Sequence, residues 1–152
     1  MPIPRSALQH SYEIGYKDST MNKGEFSRIR SFLGKTQAQM AQLLGVSLKA
    51  IQSFEQGWRK IPIHIERQSI LLLTLKGACT TKNTPCWTIK ECPMETRRNC
   101  PAWEFGGGQM CWLINGTVCQ GKVQKSWSQK MRICRKCKVF QSKLSWDGKK
   151  KS

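Results

Sequence analysis

The sequence predicts a small two-domain protein, an all-α amino-terminal bundle followed by a loop-rich, cysteine-rich domain stabilised by a metal or cluster. Three observations lead there. Short helical patterns punctuated by glycine run from Asn22 to Lys76, all 8 cysteines fall between Cys79 and Cys137, and the helical periodicity fades where the cysteines begin. The implied segments are an arm of uncertain order at 1–21, a helical domain at 22–76, a linker at 77–85, the cysteine-rich domain at 86–140 and a basic tail at 141–152.

Each helix is readable from its own residues. Phe26, Ile29 and Leu33 recur on one face of the first pattern, and Gly34 ends it. Thr36 followed three residues later by Gln39 is a capping-box arrangement, opening a second helix with Met40, Ala41 and Leu44 on its inner face. Gly45 stops that helix, Ser47 caps a third in which Ile51 and Phe54 are the buried pair, and Gly57 closes it. Pro62 opens a fourth. Two short helices joined by Leu44-Gly45-Val46-Ser47 have the spacing of a helix-turn-helix, with the small Ala41 allowing close approach.

Charge points the same way. The chain of 152 residues carries a formal charge of +17, with 12 basic and 5 acidic side chains in residues 1–85 and 14 and 4 in residues 86–152. Both halves are basic, so a polyanion is the expected partner, with nucleic acid ahead of an anionic membrane surface. The apolar run Ile70–Leu75 is far too short to span a bilayer, and MPIPRSALQH lacks the apolar core of a secretory signal. A soluble, cytoplasmic protein is expected.

The segment TQAQMAQLLGVSLKAIQSFEQGWRKIP resembles the Xre/Cro-repressor family of helix-turn-helix domains, through Thr36-Gln37, Ala41, Leu44-Gly45-Val46-Ser47, Ile51, Glu55, Gly57 and Pro62. The resemblance spans about 22–76 and implies a lambda-repressor-like bundle, double-stranded DNA as partner, transcription regulation and a homodimer on near-palindromic sites. In such a motif the second helix enters the major groove, its first turns nearest the base edges. Leu48, Lys49, Gln52 and Ser53 are the expected outward positions there; Lys49 suits guanine and the Gln52 amide suits adenine. The resemblance places Gln37 on a phosphate, and Arg59 and Lys60 add backbone contacts that position without specifying. With the caps Thr36 and Ser47, the candidate DNA-binding set is Thr36, Gln37, Ser47, Leu48, Lys49, Gln52, Ser53, Arg59 and Lys60.

The cysteines admit several chemistries. Cys134-Arg-Lys-Cys137 is the single closely spaced pair, whereas structural zinc usually draws on two such pairs. Cys92-Pro93 and Cys100-Pro101 suit an iron–sulfur cluster, yet a ferredoxin-type run is missing. Iron–sulfur (4Fe–4S foremost), zinc and redox thiols all stay open. Lys130, Arg132, Arg135, Lys136 and Lys138 are expected to lower thiol pKa values around Cys134 and to stabilise an anionic site, or else to form a solvated basic surface. Residues 86–140 resemble a bacterial two-CW cysteine-rich domain, named for Cys86-Trp87 and Cys111-Trp112. That resemblance singles out Cys86, Cys92, Cys100, Cys111, Cys119, Cys134 and Cys137 as candidate metal ligands and leaves Cys79 outside.

The remaining prominent residues read as structural. Trp87, Trp103, Trp112 and Trp127 are expected to pack around the cysteine centre, and Gly106-Gly107-Gly108 to form a flexible turn. His10 and His64 are isolated, and no base lies near a nucleophile in the pattern, so no small-molecule substrate is evident and a non-enzyme is expected. The leading reading is an Xre-type DNA-binding regulator whose metal or iron–sulfur domain senses redox state or metal. The alternative is a non-catalytic adaptor or antitoxin-like docking protein with a structural zinc module; a thiol–disulfide role for Cys134 and Cys137 is a weaker third.

Overall fold

A computed structural model of the chain describes residues 19–76 and 84–144. The amino-terminal arm through residue 18, including His10, the linker stretch holding Cys79, and the tail from residue 145 lie outside the described residues. The chain divides into two compact units between Ser69 and Ile70, so the last turns of the fourth helix group with the cysteine-bearing unit.

The first unit is mostly α-helical: α1 (Lys23–Leu33), α2 (Gln37–Leu44), α3 (Leu48–Gln56) and the start of α4 (Ile63–Leu75). Each of the first three begins on a side-chain cap. Asn22 accepts from Glu25 N, Thr36 and Gln39 form the reciprocal capping box, and Ser47 accepts from Ala50 N. Gly34, Gly45 and Gly57 end α1, α2 and α3 at φ of 68°, 66° and 80°, the left-handed region where a Cβ is costly. Pro62 sits one residue before α4, its carbonyl accepting from Ile65 and Glu66 N–H. α3 packs against both α1 and α2. Phe26, Ile29, Met40, Ile51, Phe54 and Ile65 form the dry centre, with Phe26 meeting Phe54 edge-on at 5.8 Å.

Two polar knots close this unit. Glu66, fully buried on α4, accepts from Ser19 Oγ at 3.0 Å and from Thr20 N and Oγ1. Glu55 on α3 takes both the Nε and Nη2 of Arg30 from α1, and Gln37 Nε2 from α2 at 2.9 Å. One carboxylate thus ties three helices together.

The second unit is built from short pieces: α5 (Cys86–Ile89), α6 (Met94–Arg98), α7 (Pro101–Glu104), a 3-10 turn (Cys111–Leu113), a hairpin of β1 (Val118–Cys119) and β2 (Lys122–Val123), then α8 (Trp127–Cys134) and α9 (Lys138–Lys143). The antiparallel register pairs Val118 with Val123 and Cys119 with Lys122. Gln120 and Gly121 turn the hairpin at φ of 54° and 73°, as a two-residue primed turn requires. Trp112 and Trp127 are buried, Trp112 meeting Phe140 edge-on at 5.6 Å and donating to Thr74 Oγ1 at 3.3 Å. Trp87 and Trp103 meet edge-on at 4.9 Å. Among the described residues, no helix is long and apolar enough to cross a membrane.

The glycine run departs from expectation. Gly106 does turn the chain at φ 63°, but Gly108 is buried, and its carbonyl accepts from Cys86 N at 2.8 Å. A Cβ there would stand 2.5 Å from Trp87 and 2.7 Å from Pro85. It is a packing position; sequence alone reads a glycine run as freedom because the neighbour that crowds it is 21 residues away.

Two outcomes follow from this packing. Gly108→Ala forces the Trp87 ring aside and should cost about 1–3 kcal/mol of stability, read by urea denaturation. Glu55 is held below the usual carboxylate range: burial pushes its pKa up, but the Arg30 and Gln37 hydrogen bonds and the Arg30 charge outweigh it. Its folded pKa is depressed, so its contribution is present above the ordinary carboxylate pKa and disappears as pH falls through the folded value. Glu55→Gln should therefore cost about 1–3 kcal/mol at neutral pH, with the difference from the parent protein closing in acid. A gap unchanged in acid would mean that shape, not charge, makes the contact.

Candidate functional site

Two surfaces concentrate chemistry, one in each unit. In the first, the α2–α3 pair presents an exposed face. Leu48, Lys49 and Gln52 are exposed on the first two turns of α3, with Gln56 exposed one turn further along. Thr36 and Ser47 are exposed and occupied as caps. Arg59 and Lys60 are exposed just past α3; with Lys23, Ser19 and Asn22 they line a cleft of about 260 Å³ beside the α3 terminus.

Two of the expected positions behave differently. Ser53 is buried, not outward: α3 buries Ala50, Ile51, Ser53 and Phe54, so Ser53 falls on the inner face one turn beyond Ala50. Its carbonyl accepts from Trp58 and Arg59 N–H in the turn that ends the helix. Gln37 is half-buried, with its side chain already on Glu55. Its backbone still opens α2.

In the second unit the seven described cysteines come together. Cys86, Cys92, Cys100, Cys111, Cys119, Cys134 and Cys137, spread from α5 to α9, all line one cavity of about 790 Å³. None is in a disulfide. Lys90, Arg97, Arg132, Lys136 and Lys138 share the lining, which includes no carboxylate. Among the described residues no three His, Cys, Asp or Glu side chains converge tightly enough to hold a single ion. The thiols surround a volume instead of meeting at a point.

Local folding explains the ring. Pro85 starts α5 so that Cys86 stands at its first turn, and the Cys134–Cys137 pair bridges the end of α8 and the start of α9. The hairpin turns Cys119 in, held by Gln124, which is buried and donates to the carbonyls of Cys119 and Lys122. Arg97 fixes the segment between α5 and α6 by donating from Nε to the Cys92 carbonyl at 2.8 Å while lying over the Trp103 ring.

The thiols differ in acidity. Cys86 is lowered to about 7, chiefly because the Cys111 thiol donates to it, with burial opposing. Cys111 is correspondingly raised well above the ordinary thiol value by that same bond and by burial. Burial raises Cys92 and lifts Cys134 to about 11. The expectation that neighbouring cations would lower Cys134 fails for this reason. Lys130 and Arg135 pull the pKa down, but desolvation is larger.

Lys130 was expected either to help stabilise an anionic site or to belong to a solvated basic surface. It has no exposure at all, and its Nζ donates to Thr117 Oγ1 at 2.5 Å. No sequence signal marks it, because a lysine in a basic helix looks solvated until tertiary packing is known. Comparison with family models, curated proteins and solved structures finds no match to this chain.

In reduced protein freed of metal, alkylation of Cys86 by iodoacetamide should follow a titration centred near pH about 7, while Cys111 and Cys134 react only in stronger base. Cys111→Ala removes the donor, so the Cys86 midpoint should move upward; peptide mapping of alkylated cysteines reads both.

Proposed function

We propose that the chain is a sequence-specific, DNA-binding transcription regulator of the Xre type. The observation that carries this reading is the exposed first half of α3, which offers Leu48, Lys49 and Gln52 together, with the cations Lys23, Arg59 and Lys60 at its far end. Two short helices joined by the Gly45–Ser47 turn supply a helix-turn-helix, α3 being the recognition helix. Lys49 donates to guanine O6 or N7, Gln52 reads adenine through its amide, and Leu48 meets apolar base edges. The α2 amino terminus and the second amide hydrogen of Gln37 face a phosphate, while Arg59 and Lys60 hold the backbone. The resemblance further implies a homodimer.

The cysteine-bearing unit is proposed to hold a thiolate-bound centre. Seven thiols on one cavity, accompanied by five cationic side chains and no carboxylate, suit an anionic polynuclear centre better than a lone zinc ion. An iron–sulfur cluster would supply one-electron redox chemistry and thus a signal; zinc would supply fold stability alone. This chain's own part is to provide the thiols, to line the site with the Trp87 and Trp103 rings, and to border it with positive charge.

Exposed apolar side chains favour a second reading. Leu43, Leu48 and Trp58 are 45%, 43% and 79% exposed on or beside the same helix pair, which suits protein docking by an adaptor. Binding-site selection from random duplexes, followed by fluorescence anisotropy, separates the two. Under the DNA reading one sequence is enriched, and Lys49→Ala or Gln52→Ala each weakens it by about 1–3 kcal/mol, roughly 5- to 150-fold, while nonspecific binding changes little. Enrichment of no sequence, or equal affinity in both variants, would favour docking. Iron, sulfide and zinc analysis with an absorption spectrum of anaerobically purified protein identifies the centre.

A further inference from the structure

We infer that Lys130 is a built-in counter-charge for an anionic thiolate-bound centre in the cysteine cavity. The inference rests on the proposed reading that the cysteines hold a metal or cluster, and adds a residue outside the ligand set.

The geometry is specific. Lys130 lies in α8, one turn before Cys134, and is fully buried. Thr117 Oγ1 is its hydrogen-bond partner, and Thr117 is itself 1% exposed. That hydroxyl lies 3.6 Å from Cys119 Sγ. With Lys130 donating into the Thr117 oxygen, the hydroxyl proton is left to point at Cys119 once that sulfur is a thiolate, giving an ammonium–hydroxyl–sulfur chain. The charge of Lys130 is also felt at Cys86, Cys111 and Cys134.

Among the described residues of this unit, no carboxylate neutralises that ammonium. The unit's described carboxylates, Glu91, Glu95 and Glu104, are all exposed, and no ion pair reaches Lys130. A buried, unpaired ammonium costs several kcal/mol, so a fold that keeps one must recover the cost elsewhere. Four thiolates around Zn2+ or a [4Fe–4S]2+ core leave about two negative charges in the cavity. Lys130 stands behind the cavity wall and reaches that charge through Thr117, which lines the cavity.

The consequence is a reversal of sign between two states. Without the centre, the charge of Lys130 is a liability; with it, an asset. Lys130→Met keeps length and removes charge, whereas Lys130→Arg keeps charge. The full-length parent protein and both variants would be reconstituted anaerobically with ferric iron, sulfide and excess dithiothreitol as reductant, and separately with Zn2+ alone. Retention against a chelator and thermal unfolding with and without metal would be measured. The expected result is at least about tenfold weaker retention in Lys130→Met, with metal-free stability equal to or above that of the parent, and near-parental retention in Lys130→Arg.

Unchanged retention in Lys130→Met would overturn the inference while leaving the metal reading intact. So would equal destabilisation of both states, a metal-free Lys130→Met chain that fails to fold, or loss of metal in Lys130→Arg to the same degree. A parent protein that retains neither iron–sulfide nor zinc would remove the underlying reading, and the inference with it.

Discussion

Seven sulfur atoms arranged around one cavity are the constraint on which the second unit depends. Its helices are four to eight residues long and its sheet is two pairs of residues, so secondary structure by itself supplies little cooperativity. A domain of this size buries too little apolar surface to be comfortable without cross-links or metal. What the short elements do is aim. Pro85, the Gln120–Gly121 turn and the α8–α9 corner each deliver a cysteine to the same space, and the buried Gly108 lets Trp87 close one side of it.

The first unit solves the same problem by other means. Apolar side chains from all four helices meet at a dry centre, and the Glu55 carboxylate collects donors from α1 and α2. Because Arg30 is committed to that carboxylate, the exposed cations near α3 are Lys23, Lys49, Lys60 and Arg59, the last lying over the Phe54 ring. In the second unit Lys90, Arg97, Arg132, Lys136 and Lys138 border the cavity, while Arg98, Lys122 and Lys125 face solvent away from it.

What was legible beforehand was local. Caps and glycine stops are local: Thr36 with Gln39, Ser47, Gly45 and Gly57 act within a few residues of themselves, so pattern alone places α1 to α4 closely. The set of seven cysteines came from the two-CW resemblance, and spacing alone left their grouping open, because spacing along the chain carries no cavity. The burial of Ser53 and of Lys130 was not anticipated. Ser53 falls on the inner face of α3 one turn beyond Ala50, and Lys130 is buried against Thr117 beside the hairpin; a polar side chain in a helix is read as solvated by default. The hairpin was missed because two-residue strands leave almost no alternation to detect, even though the Gly121 turn was there to be seen.

Burial links the acidity of the thiols to what the cavity can hold. The low dielectric that lifts Cys92, Cys111 and Cys134 above an ordinary thiol penalises thiolates facing one another with no cation between them. The same low dielectric strengthens the attraction once a metal cation enters, so the cost in one state and the gain in the other have a single origin. Cys86, held near neutrality by the Cys111 proton, is the thiol that needs least help to ionise. Each further ligand must release a proton, which makes loading of such a cavity steeper with pH than any single thiol would be. Cys134 is buried and the other six cysteines are half-buried, so both effects are strongest where burial is deepest and fade toward the open side of the cavity.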